Sequence, residues 1–104
     1  MTLSTITNAI NATEKYPYLT KIGIFGSYAR GDATETSDLD IIFEYDHSNT
    51  DYLENIDDFM EDMERQIPTQ IDYVTLNSLQ TGELDYFTEN ILQDVKWIYI
   101  KQPQ

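Results

Sequence analysis

No cysteine occurs in this 104-residue chain, and six Lys and Arg stand against nineteen Asp and Glu. Each shortage excludes something. Without cysteine there is neither a disulfide framework nor a thiolate zinc site, a composition that suits a reducing cytoplasm. With a formal net charge of −13, the chain cannot neutralise a row of phosphates, which is how sequence-independent nucleic-acid binders gain affinity. Direct contact with nucleic acid is therefore not expected. No apolar run approaches the roughly 20 residues of a membrane-spanning helix, and residues 1–20 lack the apolar core of a signal peptide. The expectation is a soluble, cytoplasmic domain with no membrane partner. Its acidity favours solubility, and would equally suit a positively charged protein partner.

What is present suffices for one core. Hydrophobic residues make up 40% of the chain and aromatics 12%, so residues 1–104 read as a single domain with room for one site. Leu3, Ile6, Ile10 and Thr13 fall at helical spacing and predict a helix over 3–15, stopped by Pro17. A strand over 21–25 ends at Gly26, where 27–30 can form the first turn of a second helix. Leu39–Tyr45 reads as a strand with Leu39, Ile41 and Phe43 on one face and Asp38, Asp40 and Ile42 on the other. The clearest helix is Asp51–Gln66, with an inward stripe of Leu53, Ile56, Phe59, Met60, Met63 and Ile67 and a solvated acidic face. A strand over 70–76 carries Asp72. A last helix over 83–93 turns Leu84, Phe87 and Ile91 inward, and Lys96–Ile100 forms a terminal strand. Strands alternating with helices predict an α/β fold, a small sheet with helices packed on one face and the other face open. Asp38 and Asp40 would lie on the open face.

Chemistry concentrates in Gly26-Ser27-Tyr28-Ala29-Arg30-Gly31 and, after a short polar loop, Ser37-Asp38-Leu39-Asp40. Two residues apart on a strand, Asp38 and Asp40 point the same way at a spacing of roughly 6–7 Å. Flexible carboxylates at that spacing can converge on one cation, and magnesium is usually held by one or two carboxylates plus substrate phosphates. Asp72 interrupts Ile71-Asp72-Tyr73-Val74 where an apolar residue would be expected. It would complete a two-metal site, one ion activating an attacking oxygen and the other steadying a leaving phosphate. A charge among apolar strand residues is costly unless paired, solvated or metal-bound. Gly26 lets the strand break sharply and the backbone approach a ligand. Ser27 offers a hydroxyl and neighbouring amides to a phosphate at a helix start. Arg30 supplies one positive charge to a triphosphate, and Gly31 ends the turn. Taken singly, an acid at a strand start or a Gly-Ser at a helix start is an ordinary cap. Occurring together, they favour phosphoryl chemistry. His47 reads as an exposed loop residue, Met60 and Met63 as core, and the eight tyrosines as sheet and interface residues.

These two segments resemble the G-S-x-A-x-G…S-D-x-D signature of the DNA-polymerase-β-like nucleotidyltransferase superfamily. The chain length, the Ala-Arg-Gly ending and Asp72 resemble its minimal branch. The resemblance implies a small mixed sheet flanked by helices and two magnesium ions. It also implies transfer of a nucleoside monophosphate from a triphosphate to a hydroxyl. On this reading Asp38, Asp40 and Asp72 are the catalytic metal ligands, and Gly26, Ser27, Arg30, Gly31 and Ser37 bind the nucleotide. Minimal members are paired with a helical HEPN ribonuclease toxin and transfer AMP from ATP to a toxin tyrosine. The resemblance therefore implies a protein adenylyltransferase acting as antitoxin, in a hetero-oligomer with its cognate HEPN toxin. Two rivals stand beside it. One is nucleotidyl transfer to a small-molecule hydroxyl such as an aminoglycoside, which usually needs a further acceptor domain. The other is a non-catalytic toxin-binding module, against which an uncompensated cluster of carboxylates speaks.

Overall fold

Apolar residues that alternate along neighbouring strands give the sheet two faces, and both are used. The computed structural model describes residues 1–49, 51–80 and 86–102. In chain order these form α1 (Leu3–Asn11), a 3-10 turn (Ala12–Lys15), β1 (Leu19–Phe25), α2 (Gly26–Arg30), β2 (Leu39–Tyr45) and α3 (Asp51–Gln66). There follow β3 (Ile71–Thr75), α4 (Leu76–Gln80), α5 (Tyr86–Asp94) and β4 (Lys96–Ile100). Thr2 caps α1 by accepting from the Thr5 amide at 3.2 Å, satisfying one of the free N–H groups of a helix start. The sheet order is β3-β2-β1-β4, with β1 antiparallel to both β2 and β4 and β2 parallel to β3. A parallel pair needs a crossover, and the 16 residues of α3 supply it.

On one face, Ile22 and Ile24 of β1 and Leu39, Ile41 and Phe43 of β2 pack under Ile6 and Ile10 of α1 and Phe59 and Met63 of α3. The Phe43 and Phe59 rings meet at 5.4 Å between centroids, tilted by 66°, the edge-on geometry that aromatic quadrupoles favour. The predicted strands and principal helices are all present, and the sheet is mixed, as the resemblance implied. Among the described residues no helix is long and apolar enough to cross a membrane.

Several expectations change. Helices do not keep to one face: Ile42 is fully buried on the other, against Leu76 of α4 and Ile91 of α5, with Phe25 and Trp97 packed beside them. An apolar patch of that size on a bare sheet would remain in water, so α4 and α5 cover it. Leu53 is not part of the α3 stripe. It is 82% exposed, because Tyr52, at 100° per residue closer to the line of Ile56, Phe59 and Met63, takes the inward position. The strand predicted over 70–76 stops at Thr75, whose hydroxyl accepts from the Ser78 amide at 3.2 Å and opens α4. Residues 83–85 of the predicted last helix, with Leu84, lie outside the described residues, as does the Phe87 side chain; Ile91 is buried as expected. Nor is the acidic face of α3 wholly solvated: the Tyr16 hydroxyl donates to Asp62, which also pairs with Arg65 at 3.0 Å.

The packing separates two residues of one helix by their cost. Phe59→Ala should destabilise the domain by about 3–5 kcal/mol, while Leu53→Ala should stay within about 0.5 kcal/mol. Urea midpoints of the two variants check this, and a comparable loss from Leu53→Ala would contradict the orientation of α3.

Candidate active site

β1 ends in an extended Phe25, and the chain then bends at Gly26 with φ +70°. A Cβ at Gly26 would overlap the Asp40 carboxylate oxygen Oδ2. The left-handed backbone calls for glycine here, and any side chain would also have to displace the Asp40 carboxylate. Sequence reasoning assigns that close approach to a ligand; the group making it is Asp40. α2 is only five residues long, so what it offers an anion is open N–H groups and not a long axial dipole. Gly31, at φ +86°, closes α2: its amide and that of Asp32 both donate to the Ser27 carbonyl at 3.0 Å.

The parallel ladder does the rest. Asp40 lies directly opposite Asp72 in the β2–β3 register and opposite Phe25 in the β1–β2 register. Adjacent strands are about 4.8 Å apart, so the two acids stand side by side on one face. Asp40 is half-buried and Asp72 exposed. Asp38 is exposed, held at the start of the ladder by the Leu39 amide donating to the Gln70 carbonyl at 2.9 Å. Thr69 Oγ1 fastens the same point by donating to the Ser37 carbonyl at 3.0 Å. Burial raises the Asp40 pKa above its ordinary 3.8, Asp72 and then Asp38 raise it further, and Arg30 partly offsets them. Because the folded chain holds this proton more tightly than the unfolded chain, ionisation of Asp40 erodes stability as pH rises from about 3.8 through the folded value.

An open cleft of about 320 Å³ lies at this corner, lined by Phe25, Gly26, Ser27, Arg30 and Asp40 and, on the far wall, by Asn90, Ile91 and Asp94 of α5. Gly26, Ser27, Arg30 and Asp40 are thus brought together as expected, with Asp72 beside them. Ser37 is elsewhere: its hydroxyl accepts from the Thr34 amide at 2.8 Å and closes the loop before β2. Gly31 is a helix cap and does not line the cleft. The guanidinium of Arg30 is engaged, with Nη1 2.8 Å from Asp94 Oδ2 and Nε 3.3 Å from Asp32 Oδ2. Asn90 and Asp94 enter the site through the fold, although the sequence carries a signal for them: polar residues four apart share a helix face and flank the inward Ile91.

The donor set suits a hard divalent cation. It is made of carboxylate oxygens whose mutual repulsion a cation would relieve. Among the described residues no three acidic or imidazole side chains are gathered closely enough to hold an ion unaided. Magnesium does not require it, since phosphates and water complete its octahedron.

Residues 6–98 match the nucleotidyltransferase domain family. The chain belongs to that family. The protein adenylyltransferase MntA of Thermococcus cleftensis is 31% identical over 78 residues, 75% of this chain and 73% of its own. A solved structure of a provisionally assigned minimal nucleotidyltransferase matches with a TM-score of 0.67 and 24% identity, over 92% of this chain and 95% of that one. A chain from a crystal structure of a toxin–antitoxin with AMP-PNP matches with a TM-score of 0.61 and 19% identity, over 95% and 73%. The two structural likenesses are of fold. The mixed sheet flanked by helices is that of a minimal nucleotidyltransferase, and the chain is an enzyme of nucleotidyl transfer.

The two glycines of the turn should separate cleanly on substitution. Gly31→Ala meets nothing within 4 Å, so it should cost about 1–2 kcal/mol of stability for its left-handed backbone and retain nucleotide binding. Gly26→Ala should dislodge Asp40 and lose binding as well. Calorimetric titration of both variants with an ATP analogue and magnesium tests this; equal affinities would return Gly26 to a purely structural turn.

Proposed function

We propose that this nucleotidyltransferase transfers AMP from ATP to a tyrosine hydroxyl of a HEPN ribonuclease toxin, and so acts as the antitoxin in a hetero-oligomer with it. The observation that carries the reading is the side-by-side placement of Asp40 and Asp72, with Asp40 lining the same cleft as the Gly26–Ser27 turn. Ser27 and the open amides of α2 bind the phosphates. Asp38, Asp40 and Asp72 are the residues that would hold magnesium, which when bound supplies charge neutralisation for the phosphates and polarises the attacking oxygen. The tyrosine oxygen forms a bond to the α-phosphorus, the bond from that phosphorus to the bridging oxygen breaks, and pyrophosphate departs. The tyrosine proton passes to a carboxylate of the set.

The choice of acceptor and nucleotide draws support from the relatives. MntA is named a protein adenylyltransferase, and a toxin–antitoxin chain crystallised with AMP-PNP has the same fold. The charge of −13 favours a basic protein partner over nucleic acid, and the lack of cysteine suits the cytoplasm.

Incubating the chain with labelled ATP, magnesium and a cognate HEPN protein should place AMP on a tyrosine of that protein. Asp38→Asn with Asp40→Asn should lower transfer on the order of a hundredfold or more, with far-ultraviolet circular dichroism unchanged. Label appearing only on a small-molecule hydroxyl, or wild-type neutralisation of toxicity by the double variant, would overturn the reading.

A further inference from the structure

Arg30 is the one cation lining the cleft among the described residues, and its charge is already taken. Its Nη1 is 2.8 Å from Asp94 Oδ2, and its Nε is 3.3 Å from Asp32 Oδ2. The two contacts differ in kind. Asp94 is the last residue of α5 and lines the cleft, 27% exposed at its side chain, whereas Asp32 stands outside the cleft at 62%. Asp94 reaches Arg30 from α5, 64 residues away in sequence. A carboxylate oxygen at hydrogen-bond distance from a guanidinium offers the same partner that a phosphate oxygen would. Were Arg30 to serve a triphosphate with its present geometry, Asp94 would hold the nearest anionic position first.

We propose that Asp94 is a positioning residue that acts as an internal stand-in for a nucleotide phosphate, holding Arg30 across the cleft until a triphosphate displaces it. Two consequences come from charge. The cleft is lined by both Asp40 and Asp94, so a bare polyanion meets two carboxylates and a neutralised arginine. A nucleotide whose charge is partly cancelled by a divalent cation meets less repulsion and competes better for Arg30. Asp94 thereby favours the metal complex of the nucleotide over the free nucleotide. Exchange of partners at Arg30 also removes one tie between α2 and α5.

The inference rests on the nucleotide-binding reading of the cleft, and a binding cycle separates the two. Calorimetry with a non-hydrolysable ATP analogue would be run with and without magnesium on wild type and on Asp94→Asn, Asp32→Asn, Arg30→Ala and Asp94→Asn/Arg30→Ala. Asp94→Asn should bind the analogue about two- to fivefold more tightly than wild type, the range expected from a partly exposed ion pair. The gain should be larger without magnesium, so that the preference for the metal complex narrows. Asp32→Asn removes the same charge from a poorer contact and should gain less. In the Arg30→Ala background the Asp94→Asn gain should be smaller, since only the direct repulsion between Asp94 and the phosphates is then removed. Binding by wild type that Asp94→Asn leaves unchanged or weakens would overturn the inference alone. A gain of equal size with Arg30 absent would also overturn it, since Asp94 would then act by simple repulsion. No binding by any of the proteins would overturn the inference together with the nucleotide reading on which it rests.

Discussion

Two carboxylates are held side by side by a strand register, and much of this domain is arranged around that placement. Asp40 and Asp72 are opposed residues of the parallel β2–β3 pair, so their backbones cannot separate without breaking the ladder. Burial of Asp40 sharpens the repulsion, which in a domain of ordinary marginal stability is a standing cost. The surrounding features accommodate it. Gly26 gives up its side chain to make room for the Asp40 carboxylate, Arg30 supplies partial relief, and Asp40 lines an open cleft. A charge cluster that a fold maintains at its own expense is a common mark of a site built for a ligand.

Much of this was legible in the sequence because the signals were local. A glycine at a strand end, an acid pair at period two and an acid inside an apolar strand each reveal themselves over a few residues. Asp40 and Asp72 fall on the two strands where the pattern put them, with Asp38 just ahead of the first, and the register then brought Asp40 and Asp72 together. The strands and the α3 helix followed from apolar period alone. What escaped was non-local. The five residues of α4 are too few to show a period, and the first of them was absorbed into the preceding strand. The α5 wall of the cleft depends on which face of the sheet a distant helix covers, and no pattern within α5 states that. Leu53 was misplaced because two adjacent apolar residues, Tyr52 and Leu53, compete for one inward position, and only the tilt of α3 on the sheet chooses between them.

Arg30 shows the same division. Its presence in the turn was plain, and so was its suitability for phosphate. Its occupation by Asp94 arises from residues 64 apart and could be seen only in three dimensions. The cleft is therefore more finely balanced than a list of ligands suggests. Its arginine is already paired within the protein, and on the proposed reading a nucleotide with its cation would redistribute those partners.

Thermal unfolding of wild type and Asp40→Asn at neutral pH, each with and without magnesium and a non-hydrolysable ATP analogue, tests the central claim that this crowding serves a metal–nucleotide ligand. Without ligand, Asp40→Asn should melt higher than wild type, since it removes a partly buried charge beside two others. With ligand, wild type should gain by mass action and the variant should not. An apo variant that melts lower than wild type, or one that gains as much from the ligand, would contradict the account.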